Sequence, residues 1–153
     1  MFKNYEKTIF ILIGIQASGK STFCKQFFNE EIRINLDTLK TRKKETEEIK
    51  NLLTQNKNCV IDNTNTTIEF REKYIDYAKE YKYKIVGIYF RSSIDECLKR
   101  NEQRIGKEKL TEKAIISIAK TLEQPNYNEG FDELYYTKIE NDKFIIDKWK
   151  EEL

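Results

Sequence analysis

Apolar residues come in short unbroken bursts, separated by charged stretches with helical spacing. The first burst, Ile9-Phe10-Ile11-Leu12-Ile13, contains no polar position. That is the pattern of a strand covered on both faces, as in a parallel sheet. Residues 20–29 then read as a helix with Phe23, Phe27 and Phe28 on one side. Ile32-Arg33-Ile34-Asn35 predicts a short second strand ending at Leu36-Asp37. Residues 38–56 are rich in lysine and glutamate, with apolar spots only at Leu39, Ile49, Leu52 and Leu53, which predicts an exposed helix or a helix plus loop. Cys59-Val60-Ile61-Asp62 is a third strand. Thr66 and Glu69 have capping-box spacing and predict a helix to about Lys79, its apolar face carrying Phe70, Tyr74, Tyr77 and Ala78. Lys84–Phe90 is a fourth strand, and Ser93 with Glu96 opens another helix to about Arg104. Gly106 breaks the chain, Thr111 caps a helix to Leu122, and Pro125 and Gly130 mark a loop before a fifth strand at Glu133–Ile139. The tail, 143–153, packs as a final strand or helix through Phe144, Ile145, Ile146 and Trp149. Strands alternating with helices over 153 residues predict one α/β domain, 1–153, with a mainly parallel sheet.

Composition narrows the chemistry. There is no histidine, which excludes a Ser-His-Asp triad, a histidine base and any histidine-bearing zinc site. The three cysteines, Cys24, Cys59 and Cys97, are far apart and form no C-x-x-C. A disulfide framework is not expected, and a reducing, cytoplasmic setting is. Charged residues make up 35% of the chain, but the net charge is only +2, so bulk charge makes no case for nucleic acid. No apolar stretch is long enough to span a membrane. Aromatics are abundant, with nine Tyr, nine Phe and one Trp. Most fall at core spacing, and none is required as a base-stacking platform.

Gly14-Ile15-Gln16-Ala17-Ser18-Gly19-Lys20-Ser21 matches G-x-x-x-x-G-K-[ST] in full, after a hydrophobic strand and before a helix. The glycines permit backbone angles that wrap successive N–H groups around a phosphate. The helix start points its positive end at the same anion. Lys20 can bridge β- and γ-phosphates, and the Ser21 hydroxyl can ligate Mg²⁺. Gly14, Ala17, Ser18, Gly19, Lys20, Ser21 and Thr22 are therefore the candidate nucleotide-binding set, with ATP and Mg²⁺ as the expected ligands.

In open α/β sheets ligands collect at the carboxyl ends of the strands, and two acids lie there. Asp37 reads equally as a carboxylate base for a hydroxyl or as the N-cap of a helix starting at Thr38. Asp62 reads as a carboxylate holding Mg²⁺ through water, or as a turn residue bonded to the amides of Asn63–Asn65. Three of the six arginines, Arg91, Arg100 and Arg104, fall within fourteen residues. Arg100 and Arg104 are i,i+4 neighbours, followed by Ile105-Gly106-Lys107. They read either as a lid facing a transferring phosphoryl group or as a solvated face paired with Glu96 or Glu108. Lys40-Thr41-Arg42-Lys43-Lys44 reads either as one wall of a phosphodiester groove or as part of a mixed-charge helix.

The order Gly14–Phe23 (G-x-x-x-S-G-K-S-T-F), Ile34–Leu39 (I-N-x-D-T-L), Val60–Asn65 (V-I-D-N-T-N), Arg100–Arg104 (R-N-x-x-R) and Pro125–Phe131 (P-x-Y-x-E-G-F) resembles the kinase domain of polynucleotide 5′-hydroxyl kinases. The resemblance implies a three-layer P-loop kinase fold, with a five-stranded sheet in the order 2-3-1-4-5 and a helical lid at about 100–112. It implies transfer of the ATP γ-phosphate to the 5′-hydroxyl of DNA or RNA. Asp37 would be the general base and Arg104 the lid arginine at the transition state. Arg100 would lie near the nucleotide, Ser21 and Asp62 near the metal, and Lys40, Asn63 and Asn65 on the acceptor side. Two positions depart from the family pattern. Leu36 stands where an arginine often precedes the catalytic Asp, and Lys40 stands where some members have arginine, so the charge stays but the bidentate fork is lost. The phosphatase motif D-x-D-x-T, found in several members, is absent from this sequence, which predicts kinase activity alone. Two other readings use the same scaffold: a small-molecule kinase acting on a nucleoside, sugar or antibiotic hydroxyl, as zeta-toxin-type kinases do, and a non-enzymatic ATP-binding module.

Overall fold

The computed structural model describes residues 2–150, the side chain of Lys107 excepted. Six strands form one sheet: β1 (Thr8–Ile13), β2 (Arg33–Ile34), β3 (Cys59–Ile61), β4 (Lys84–Phe90), β5 (Glu133–Glu140) and β6 (Lys143–Lys148). Their order is β2-β3-β1-β4-β5-β6. The first five are parallel, in the expected 2-3-1-4-5 order. The tail adds a sixth strand, antiparallel to β5, so the sheet is one strand wider than expected. Its turn explains it: Asn141 and Asp142 both have positive φ, 50° and 61°, as a two-residue hairpin matching the strand twist requires. The last three residues of the predicted tail element lie outside the described residues.

Six α-helices connect the strands: α1 (Lys20–Phe27), α2 (Leu36–Leu39), α3 (Arg42–Thr54), α4 (Ile68–Tyr81), α5 (Ile94–Glu102) and α6 (Glu112–Thr121). The charged stretch after β2 is two helices because Lys40 turns left-handed at φ 71° and ends α2. Thr41 then caps α3. The cap of α4 is Thr67, not Thr66: its hydroxyl accepts the N–H of Phe70 at 3.1 Å. Thr66 is buried, and its carbonyl accepts the N–H of Glu123 at 2.7 Å. The buried face of α4 is Arg71, Tyr74, Ile75 and Ala78. Phe70, expected on that face, is instead 52% exposed.

Alternating residues of β1 serve two cores. Ile9, Ile11 and Ile13 pack with Ile49, Leu53, Tyr74 and Ile75 of α3 and α4. Phe10 and Leu12 pack with Phe23 and Cys24 of α1, beside Phe90 and Val86. The sheet is thus the middle of three layers, which explains the absence of polar positions in β1. The phenylalanines concentrate on the α1 side, where Phe23 stacks edge-on against Phe90 and Phe144 with centroids 5.0 and 5.1 Å away. A third cluster joins Ile15 and Ala17 of the loop after β1 to Cys97 of α5 and Ile115 of α6.

One buried ion pair fastens α4 to the loops at the top of the sheet. Arg71 and Glu129 have side-chain exposures of 0% and 3% and meet through two hydrogen bonds of 2.8 and 3.0 Å. The remaining guanidinium nitrogen donates to the carbonyls of Asn65, at 2.8 Å, and Glu123, at 3.1 Å. Removing one partner strands the other charge in a dry site, at a cost of about 3–5 kcal/mol. Glu129→Ala should therefore lower the free energy of unfolding in urea by about 3 kcal/mol or more. A loss below about 1 kcal/mol would mean that the guanidinium is held by its two carbonyls alone.

Candidate active site

The loop after β1 has the geometry of an anion nest. Gly14 donates its N–H to the Thr64 carbonyl at 3.0 Å, and a Cβ there would lie 2.8 Å from Ser18 Oγ and 3.0 Å from Phe90 Cβ. Ala17 and Gly19 adopt positive φ, 64° and 105°, on either side of Ser18. Such alternation turns successive N–H groups towards one point, just where α1 begins. Ala17 pays strain for this as a residue with a Cβ. The loop is braced from the other side: Ile15 donates its N–H to Ser92 Oγ at 3.1 Å, and Arg100 donates to the Ala17 carbonyl at 3.2 Å. Lys20 folds its ammonium back onto the loop, donating to the carbonyls of Gly14 at 2.7 Å and Ile15 at 2.8 Å. Lys20 is only 8% exposed, and burial lowers its pKa to about 8 against the opposing pull of Asp62.

The acids divide their work. Asp62 is 2% exposed, and its Oδ2 accepts from Arg33 Nε at 2.8 Å and from the Ser21 hydroxyl at 3.4 Å. Its carboxylate therefore faces α1 rather than the amides of its own turn. Asp37 lies in the first turn of α2, but the cap of that helix is Asn35, whose Oδ1 accepts the Thr38 N–H at 3.1 Å. Freed from capping, Asp37 is exposed, and among the described residues no side chain donates to its carboxylate.

What fixes Asp37 is the backbone beside it. Leu36 donates its N–H to Asn63 Oδ1 at 2.9 Å, and Asn35 Nδ2 donates to the Asp62 carbonyl at 2.7 Å. The amide of Asn63 donates in turn to Glu45 Oε2 at 3.0 Å. Glu45 is fully buried and also accepts from Lys73 at 2.8 Å, Tyr74 at 2.9 Å and Arg42 at 3.2 Å. Burial alone would raise its pKa. The hydrogen bonds from Lys73, Tyr74 and Asn63, together with the Lys73 charge, outweigh burial and hold the carboxyl below its usual range. Asn65 spends its amide on the Leu12 carbonyl at 2.7 Å. The side chains of Asn63 and Asn65 thus build the wall of the site, engaged with the protein itself.

A cavity of about 240 Å³ brings these groups together. Lys20, Ser21, Asp37, Asp62 and Arg104 line it, along with Ala17, Asn63 and Asn65. Gly14, Ser18, Gly19 and Arg100 shape or brace the loop from outside the lining, and Thr22 lies exposed on α1, also outside it. Lys40 also lies outside it, because its left-handed backbone ends α2 and leaves the side chain exposed. The cation on that wall is Arg42, two residues later, which the sequence had offered only as one of four cations in a basic run. Gln16, Phe70 and the Arg33 partner of Asp62 were not foreseen as site residues either. Arg104 bonds to the Glu108 carbonyl at 3.2 Å rather than to a carboxylate. Asn101 clasps the segment between α5 and α6 through both bonds to the Leu110 backbone, at 2.6 and 2.9 Å. The side chain of Lys107, expected in this basic segment, lies outside the described residues. The donor set suits Mg²⁺ bound with a nucleotide: one hydroxyl and one carboxylate beside an anion nest, leaving most positions to phosphate and water.

Comparison with known proteins agrees with this geometry. A family model described as AAA domain matches residues 9–125. A candidate bifunctional polynucleotide phosphatase/kinase of Acanthamoeba polyphaga mimivirus is 35% identical, aligned to 97% of this chain and 38% of its own length. A bifunctional polynucleotide phosphatase/kinase of Schizosaccharomyces pombe is 33% identical, over 96% of this chain and 37% of its own. The chain thus spans somewhat over a third of the length of these relatives. Among solved structures, Chaetomium thermophilum Kti12 in complex with ADP-AlF3 superposes with a TM-score of 0.69 at 15% identity, covering 88% of this chain and 91% of that one. A gluconokinase from Sinorhizobium meliloti gives a TM-score of 0.60 at 14% identity, covering 86% and 82%. These likenesses show the P-loop kinase fold.

The buried lysine sets a pH signature. Its pKa falls from 10.5 in the unfolded chain to about 8 in the fold, so between these values the unfolded chain binds more protons. Stability contributed at this position should rise with pH across that window, because the cost of burying the charge disappears as the amine deprotonates. Urea unfolding of the wild type and Lys20→Met from pH 7 to 10.5 should show the wild type gaining on the variant above about pH 8. A difference independent of pH would mean that the ammonium is well solvated.

Proposed function

The chain belongs to the AAA domain family, and we propose that it acts as an ATP-dependent kinase that phosphorylates the 5′-hydroxyl of a polynucleotide. The observation that carries this reading is Asp37: an exposed carboxylate without a side-chain donor, held through its backbone in the cavity that Lys20, Ser21 and Arg104 also line. The names of the relatives support a polynucleotide as the acceptor.

In this reading the nest formed by Gly14–Ser21 and the start of α1 seats the ATP phosphates. Magnesium bound with the nucleotide would neutralise phosphate charge, with Ser21 and, through water, Asp62 to hold it. The acceptor hydroxyl enters beside Asp37, which takes its proton. The oxygen bonds to the γ-phosphorus as the bond to the β–γ bridging oxygen breaks, leaving ADP and a 5′-phosphate. Lys20 and Arg104 offset the charge on the transferring group, and the segment at about 100–112 closes as a lid that excludes water. Arg42 offers a planar fork on the acceptor side, suited to a phosphodiester. A second reading, a small-molecule kinase, draws on the modest volume of the cavity and on the exposed position of Lys40.

Transfer of labelled γ-phosphate to 5′-hydroxyl oligo-DNA and oligo-RNA, beside nucleosides and small hydroxyl compounds, separates the two. The expected result is labelling of an oligonucleotide 5′ end. In Asp37→Asn, kcat should fall by about 100-fold or more while ATP still binds, since a positioned base contributes roughly 10²–10⁴-fold. Labelling of small hydroxyl compounds alone would put the second reading in its place. Full activity in Asp37→Asn would remove the proposed base.

A further inference from the structure

Phe70 is a large aromatic lining a polar cavity, and among the described residues it belongs to no hydrophobic cluster. It is 52% exposed, while Arg71, Tyr74, Ile75 and Ala78 form the buried face of its helix. Single exposed apolar residues are ordinary on protein surfaces and need no explanation. Phe70 differs in position, because it lines the same cavity as Asp37, Arg42 and Arg104. Its backbone is also anchored. Its N–H bonds to the cap Thr67 at 3.1 Å, and its neighbour Arg71 is locked by the Glu129 pair.

Sheet order tells which ligand it faces. Asp37 follows β2 and Phe70 follows β3, both on one side of β1 and its phosphate loop. Arg100 and Arg104 follow β4, on the other side. Phe70 therefore shares the flank of the proposed acceptor base. The cavity measures about 240 Å³, small for a whole nucleotide beside the reacting phosphates, which favours placing the base of a terminal nucleotide at its exposed rim with Phe70. There an aromatic face beside a guanidinium meets both parts of a nucleotide, the base by stacking and the phosphate by charge.

We propose that Phe70 is the stacking platform for the 5′-terminal nucleobase of the acceptor, and so a residue that selects polynucleotides over small hydroxyl compounds. The inference rests on the polynucleotide kinase reading. Stacking on an aromatic side chain tolerates any base, so the preference is for a base and not for a sequence.

The test compares wild type, Phe70→Ala and Phe70→Tyr on two 5′-hydroxyl oligonucleotides, one normal and one abasic at its first nucleotide. Phe70→Ala should raise KM for the normal oligonucleotide by about 10- to 100-fold, in line with the roughly 1–3 kcal/mol of base–aromatic stacking. KM for ATP and the thermal midpoint should stay unchanged, and Phe70→Tyr should restore acceptor KM. On the abasic acceptor, wild type should already be weak and Phe70→Ala should weaken it no further. An unchanged acceptor KM in Phe70→Ala overturns the proposal. An equal loss on both acceptors, or a raised KM for ATP, overturns it too, by making the role structural or moving it to adenine. If wild type phosphorylates oligonucleotides while Phe70→Ala is indifferent, only the platform falls. If wild type phosphorylates none, the acceptor reading falls and the platform with it.

Discussion

Gly14 donates its N–H to the carbonyl of Thr64 at 3.0 Å, and Asn65 donates its amide to the carbonyl of Leu12 at 2.7 Å. These two bonds tie the end of β1 to the segment leaving β3, and the site is built outwards from them. Asp62 turns towards Ser21 and Arg33, Asn63 holds Leu36, and the Asn65 carbonyl receives Arg71. Four consecutive residues thus set the position of the phosphate loop, the helix carrying Asp37 and the helix carrying Phe70. A shift of this segment would move every group in the cavity at once, because buried bonds of this kind leave few alternative arrangements.

The electrostatics follow from the same crowding. Lys20 is buried because its side chain folds back onto the loop, where its ammonium rests on carbonyls that can attract it but not neutralise it. Asp62 is paired with Arg33, and Glu45 with Lys73 and Arg42. Asp37 is left outside these pairings. The proposed role of Asp37 as a base asks for a carboxylate not already engaged by a cation, and its place outside both ion networks is compatible with that role. Asn35 makes it possible by taking over the cap of α2.

Much of this was legible in the sequence. The apolar bursts gave the strands, because residues covered on both faces leave no polar alternation to misread. The phosphate loop was legible because its chemistry is local: glycines for the backbone, then lysine and serine at the start of a helix. The sixth strand was ambiguous because its pattern fits helix or strand, and only the left-handed Asn141-Asp142 turn decides it. Arg33 and Phe70 were illegible as site residues, and Arg42 could not be singled out from its basic run, because each depends on contacts between distant segments. Nothing local distinguishes Arg42 from Lys40 until the left-handed turn at Lys40 separates their directions. Phe70 matches the spacing of a core residue, i−4 from Tyr74. It leaves the core because the buried face is centred on Arg71, Tyr74, Ile75 and Ala78, which puts Phe70 at its margin.

The position of Arg42 changes what the Lys40 departure means. Read along the chain, lysine for arginine three residues after Asp37 weakens the case for a phosphodiester contact. In the fold, Lys40 has given its backbone to ending α2, and the guanidinium reaches the cavity from the first turn of α3 instead. Arg42 is bonded there to Glu45 and to the Tyr74 hydroxyl, at 3.2 Å each, which limits its rotamers while half of its side chain stays exposed. A cation oriented in advance loses less entropy on meeting a phosphate than a free lysine does. Because the same Glu45 receives Asn63, which holds Leu36 beside Asp37, one buried carboxylate sets both the proposed base and the proposed phosphate contact. In the proposed kinase reading, the base and the phosphate contact would therefore share one anchor, Glu45.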